Sequence, residues 1–188
     1  KDQTYQIGSL IELIWGIENP AAIINKIADK NIHIITLTIT EGGYNIAKAT
    51  NEFMLDNENI KYDLAHPQSP KTTFGFVAEG LRKRKAVGNG PITILSCDNL
   101  QHNGNTARKA FLSFFQAQDP ELAEWATVNI TFPNSMVDRI TPSTQPEDII
   151  RLNTQNGTQD GAPVYCEDFI QWVVEDKFIA GRPAWEKV

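Results

Sequence analysis

Residues 91–104, Pro-Ile-Thr-Ile-Leu-Ser-Cys-Asp-Asn-Leu-Gln-His-Asn-Gly, constrain the fold of this chain more than any other stretch. Residues 92–95 form an apolar, β-branched run that reads as a buried strand. The run breaks abruptly at Ser96, Cys97, Asp98 and Asn99, and a glycine-containing turn leads into a helical pattern. Strand, polar turn and helix form the repeating unit of an open α/β sheet, and such sheets bind ligands at the carboxyl ends of their strands. Two readings of the polar cluster stand open here. Asp98 and Asn99 cap the next helix, or they belong to a site at the strand end.

Two further runs have the same character. Residues 32–40 are too rich in β-branched side chains for anything but a strand, and they stop at Glu41-Gly42-Gly43-Tyr44. Residues 130–137 read as a strand that ends at Asp138-Arg139. Between the runs lie helix signals. Asn19-Pro20 supplies an N-cap and a first helical residue, with Ile23, Ile24 and Ile27 on one stripe over residues 20–29. Ser69-Pro70 reads as a second start of the same kind, followed by Phe74, Val77, Ala78 and Leu81 at helical spacing. Residues 105–116 predict a helix with Ala107, Ala110, Phe111, Phe114 and Phe115 inward. Asp119-Pro120 starts another, running through Trp125. Residues 45–70 read as a loop and 142–161 as a connector. Residues 164–174 mix strand and helix signals, and residues 5–15 begin β-like without a settled type. The alternation predicts an α/β fold with a largely parallel sheet and flanking helices. Its strand ends at Glu41, at Asp98 with Asn99, and at Asp138 would share one edge, making one site rather than three.

Composition narrows the function classes. A net charge of -6 argues against a general nucleic-acid binder. Arg82-Lys83-Arg84-Lys85 reads against that balance as cations at a helix C-terminus, favoured by the helix dipole, rather than as a nucleic-acid patch. Cys97 and Cys166 make no disulfide framework. No apolar run reaches membrane-spanning length and no signal peptide opens the sequence, so cytoplasmic residence is the expectation. The opening Lys1 and the closing Trp185-Glu186-Lys187-Val188 read as cut ends of something longer. No dinucleotide glycine fingerprint, Walker motif or zinc pair is present, and no metal is expected. Gly88-x-Gly90 precedes a strand, whereas the fingerprint follows one. Ser96 or Cys97 with His102 offers a nucleophile and base in sequence only; Cys97 reads as a small buried residue.

Four motifs in order resemble one family. They are Thr36-Leu-Thr-Ile-Thr-Glu-Gly-Gly-Tyr44, Ser96-Cys-Asp-Asn-Leu100 with His102-Asn-Gly104, Thr131-Phe-Pro-Asn-Ser-Met-Val-Asp-Arg139, and Gly181-Arg-Pro-Ala-Trp-Glu-Lys187. They span nearly the whole chain and resemble the mannitol dehydrogenase family of polyol-specific long-chain dehydrogenases. The segment His66-Pro-Gln-Ser-Pro-Lys-Thr-Thr-Phe-Gly75 points within it toward mannitol 2-dehydrogenases, with fructuronate reductases (mannonate oxidoreductases) as the nearest rival. A non-catalytic α/β binding module is the alternative outside the family.

The resemblance implies a Rossmann-like NAD-binding domain, incomplete at its N-terminal end, spanning residues 1–188. A helical C-terminal domain of the same polypeptide would close over a polyol or ketose substrate. The implied reaction is a reversible, metal-independent hydride transfer at C2, mannitol to fructose. The family's catalytic Lys-x4-Asn-x2-His helix does not occur in this sequence, so the general base lies outside it, and Lys187 is not that base. The resemblance gives catalytic roles to three residues. Asn99 would be an oxyanion-hole donor. Asp138 would hold the catalytic lysine or a substrate hydroxyl, and Glu41 would relay a proton to solvent. Thr38, Thr40, Ser96, Asn99 and Asn134 are the implied cofactor contacts, and Asp98 would fix its own turn.

Overall fold

A computed structural model describes residues 9–137, 141–167, 169 and 171–187. Asn19 Oδ1 accepts the Ala22 N–H at 3.1 Å and Pro20 fills the first helical position, so α1 spans Pro20–Ala28. Then follow strand β1 (Ile34–Leu37), a short helix α2 (Thr40–Gly43), and helices α3 (Glu58–Ala65) and α4 (Thr73–Ala86). Strand β2 is Ile92–Ser96, and helices α5 (Asn103–Gln118) and α6 (Pro120–Asn129) lead to β3 (Ile130–Thr131). A second, small element pairs β4 (Ser135–Met136) with β5 (Val173–Val174), with helix α7 (Pro146–Asn156) between them in sequence. A single 3-10 turn covers Trp185–Lys187.

The sheet order is β1-β2-β3, and both pairings are parallel. This is the Rossmann-type arrangement expected from the alternating pattern. Central strand β2 is buried at all five positions, as a strand covered on both faces must be. Against the sheet packs an aromatic core. Phe74 lies 4.8 Å from Phe111 and 5.1 Å from Phe53, ring centre to ring centre, the latter edge-on.

Several sequence expectations change. Residues 45–70 contain α3, whose start is closed by Asn57 Oδ1 accepting the Asn59 and Ile60 N–H groups. Only Ile60 and Asp63 of this helix are buried, too few to show an apolar stripe. Ser69-Pro70 does not start a helix. Asp63 accepts the Lys71 and Thr72 N–H groups at 2.7 and 2.8 Å, holding the chain out of the helix until Thr72 becomes the cap. Residues 130–137 are two strands in two sheets. Pro133 can donate no ladder hydrogen bond, and the chain leaves β2 there to pair with residues 173–174. Residues 142–161 hold α7, ended by Gly157 at φ 64°. Among residues 9–15 no strand forms.

At the amino ends of the strands the sheet is closed by Arg84, 1% exposed. Its guanidinium donates to the carbonyls of Ile27 (3.1 Å), Asp29 (2.7 Å), Gly90 (2.9 Å) and Pro91 (3.2 Å). The end of α1 and the entry to β2 are thereby tied together. Arg84 is one of the four cations read as lying at a helix C-terminus; it does lie in the last turn of α4, and it is buried there as a clamp.

Candidate active site

Parallel pairing brings the carboxyl ends of β1 and β2 level. Leu37 pairs with Ser96, and Cys97 N–H donates to Leu37 O at 2.8 Å. One residue on, Asp98 reaches across the gap. Its carboxylate accepts the Thr40 N–H at 2.7 Å, the Ile39 N–H at 3.2 Å and the Tyr44 hydroxyl at 2.6 Å. Tyr44 Oη also lies 2.6 Å from Ser96 Oγ. A carboxylate only accepts, so the phenol proton points to Asp98, and Ser96 must donate its own to Tyr44. Burial, followed by the hydrogen bond to Asp98, pushes the Tyr44 pKa up, which keeps this proton in place. Asp98 therefore fixes the neighbouring strand's turn rather than its own. That turn carries Thr40 at φ 64°, a conformation costing a β-branched residue about 1–3 kcal/mol.

The β2–β3 side is held by an amide. Asn103, fully buried, shares its two Nδ2 protons among the carbonyls of Ser96 (3.2 Å), Asp98 (3.0 Å) and Ser135 (2.9 Å). Its Oδ1 accepts the Ser135 N–H at 2.9 Å. Ser135 Oγ donates to Ser96 O at 2.6 Å. The start of α5 lies so close to the end of β3 that a Cβ on Gly104 would sit 2.4 Å from Pro133 O, so only glycine fits.

On this scaffold Thr38, Thr40, Glu41 and Asn99 are all exposed at the ends of β1 and β2. Glu41 pairs with Lys48 at 3.2 Å. Asn134 is half-buried; its Oδ1 accepts the Asn105 N–H, and its own N–H and Nδ2 donate to Glu175. The Asn134 N–H, ahead of Lys177, holds the Glu175 carboxyl below its usual range. Asp138 lies outside the described residues. Ser96 is fully buried and its hydroxyl is bonded to Tyr44, so its side chain supports the edge from beneath. Burial, then Asp98, pushes the Cys97 thiol up, so neither Ser96 nor Cys97 is an activated nucleophile.

A depression of about 270 Å³ opens beside the strand ends, lined by Asp98, Asn99, His102, Ser135 and Met136 among others. Hydroxyl and amide groups at its rim suit a ligand rich in hydroxyls. A larger open cavity, about 790 Å³, lies between α3, α4 and the α5–α6 corner, but none of its lining residues comes from the strand ends. Its Arg82 is already paired with Glu79 and Asp119. Among the described residues no group of three or more His, Cys, Asp or Glu is placed to hold a metal ion. Sequence reasoning missed Tyr44 and Asn103 as site supports. The one available signal was a lone aromatic closing the Glu-Gly-Gly turn.

The family model described as the mannitol dehydrogenase Rossmann domain matches residues 1–187. A polyol:NADP oxidoreductase of Gluconobacter oxydans is 49% identical over 181 residues, covering 96% of this chain and 37% of the relative. A D-mannonate oxidoreductase of Escherichia coli is 43% identical over 183 residues, covering 97% of this chain and 38% of the relative. The solved structure of Pseudomonas fluorescens mannitol 2-dehydrogenase, a ternary complex with NAD and D-mannitol, superposes with a TM-score of 0.81 at 49% identity. That match covers 97% of this chain and 37% of the other. The chain thus spans a little over a third of the length of these relatives.

Proposed function

This chain belongs to the mannitol dehydrogenase family, and from that premise we propose that its sheet edge forms the cofactor half of a polyol dehydrogenase site. The reaction proposed is the reversible oxidation of mannitol to fructose at C2. A nicotinamide dinucleotide bound at this edge would supply the hydride acceptor, and NAD is the form proposed. The residues of this chain bind and orient. Thr38 and Thr40 offer hydroxyls to the cofactor from the end of β1. Asn99, exposed at the end of β2, offers its amide N–H to the substrate oxygen as charge develops there. Glu41 stands at the solvent side, where it passes a proton outward. Asp138 is proposed for the same rim. The base that removes the hydroxyl proton comes from a helical C-terminal domain of the same polypeptide, so the 188-residue chain alone is expected not to turn over.

The observation that carries this reading is the exposed Asn99 standing directly after the buried Asp98. The strand end is buried at Asp98 and exposed at Asn99, where it would meet a ligand. A sugar-acid substrate is the second reading, favoured by the 43% identity to a mannonate oxidoreductase. Initial rates of the intact protein on mannitol, sorbitol and mannonate, each with NAD and NADP, separate the two. Mannitol with NAD should give the largest kcat/KM. A larger value with mannonate transfers the assignment to the sugar acid, a larger value with NADP changes the cofactor, and no turnover with any pair rejects the proposal.

A further inference from the structure

Asn99 and the Thr40–Gly43 turn come from different strands, 58 residues apart in sequence for the pair Thr40 and Asp98. A hydride-transfer site needs the groups on these two turns in one fixed relation, because misplacement by about 1 Å can cost on the order of a hundredfold in rate. Side chains link them through Asp98, whose carboxylate accepts the Ile39 and Thr40 N–H groups and the Tyr44 hydroxyl, and Tyr44 also meets Ser96 Oγ. We infer that Tyr44 and Asp98 are positioning residues that lock the β1 turn to the Asn99 turn. The inference rests on the reading of this edge as the polyol site.

Three observations carry it. The proton order is fully determined: Ser96 donates to Tyr44, and Tyr44 donates to Asp98. The lock is dry, since Tyr44 and Ser96 are fully buried and Asp98 nearly so. Its output is a strained turn, with Thr40 held at φ 64° by the 2.7 Å bond to Asp98 Oδ1. Asp98 is itself seated from the far side, because its carbonyl accepts from Asn103 Nδ2 at 3.0 Å.

Tyr44→Phe deletes the hydroxyl and keeps the ring, so it is the primary variant, studied in the intact protein. Backbone amide exchange at Ile39 and Thr40 should quicken about tenfold, while Ile94 and Leu95 in β2 keep their protection. Polyol kcat should fall about tenfold, with the Kd for NADH held within about threefold. In an Asn99→Ala background the same substitution should lower kcat by less than about twofold, because the two residues act through one geometry. Ser96→Ala leaves the Tyr44–Asp98 bond intact and should have the milder effect. Unchanged exchange at Ile39 and Thr40 overturns the inference, and so do kcat losses that multiply independently of Asn99. If the unaltered protein oxidises no polyol, the site reading fails instead, and the exchange measurement still decides whether Tyr44 holds the turn.

Discussion

Two buried charges sit at opposite ends of the same sheet and do opposite work. Arg84 closes the amino ends of the strands by donating to four carbonyls. Asp98 closes the carboxyl ends of β1 and β2 by accepting from two N–H groups and a phenol. Each charge suits its place, since chain entering a strand here leaves carbonyls to satisfy and chain leaving one presents N–H groups. They differ in their surroundings. Around Arg84 the tied groups are all backbone carbonyls. Beside Asp98 stand exposed Thr38, Thr40 and Asn99. A clamp at one edge is expected to set stability alone; at the other edge the same physics would also set the geometry of the proposed site.

The largest expected effect separates these roles. Arg84→Met preserves much of the volume but strands four carbonyls, and should cost about 3–4 kcal/mol. Denaturant titration reads the loss, and kcat per folded molecule should be unchanged. A tenfold drop in kcat would erase the distinction between the two edges. Asp98→Ala strands two N–H groups and the Tyr44 hydroxyl. It should cost about 2–3 kcal/mol and also reduce kcat by on the order of a hundredfold. Stability loss with full activity would make Asp98 a second Arg84. Gly104→Ala tests the β2–β3 side of the same edge. The added methyl meets the Pro133 and Phe132 carbonyls, which are backbone and cannot swing away, so about 2 kcal/mol should be lost. The end of β3 must then shift, and amide exchange at Ser135 should quicken with it.

Local chemistry made the frame readable and hid the clamps. Asn19-Pro20 and Asp119-Pro120 announce α1 and α6 because capping needs only neighbours in sequence. Ser69-Pro70 looks the same and fails, because Asp63 in another helix captures the next two N–H groups. Nothing within a few residues of Ser69 could show that. Arg84 is one of four consecutive cations, and only its position on the buried face of α4 sets it apart. Asp98 was visible as a polar residue after a strand, but its partners lie more than 50 residues upstream. The edge proposed to carry the site was therefore legible, while the bonds that shape it depend on which strands pair.

The smallest effect supplies the cleanest control, because it places a second carboxylate away from the strand ends. Asp119 caps α6 by accepting the Leu122 N–H at 3.1 Å and pairs with Arg82 Nε at 3.1 Å. Burial works against its charge, but the Leu122 N–H and the Arg82 guanidinium outweigh it and hold the carboxyl below its ordinary value of 3.8. A carboxyl lowered on folding stabilises the protein above the unfolded value. It loses that contribution as pH falls through the folded one. Asp119→Asn keeps a capable N-cap and removes only the charge, so about 0.5–1 kcal/mol should vanish at neutral pH, a partly exposed pair being worth no more. Denaturant titrations of the two proteins should run parallel above about pH 5 and converge below pH 3.8. Polyol kcat should not change, because the altered carboxylate touches neither turn of the site. A pH-independent gap would mean that the cap, not the charge, was lost. A fall in kcat would mean that carboxylates influence this chemistry from anywhere in the domain, and the special standing of Asp98 would be gone.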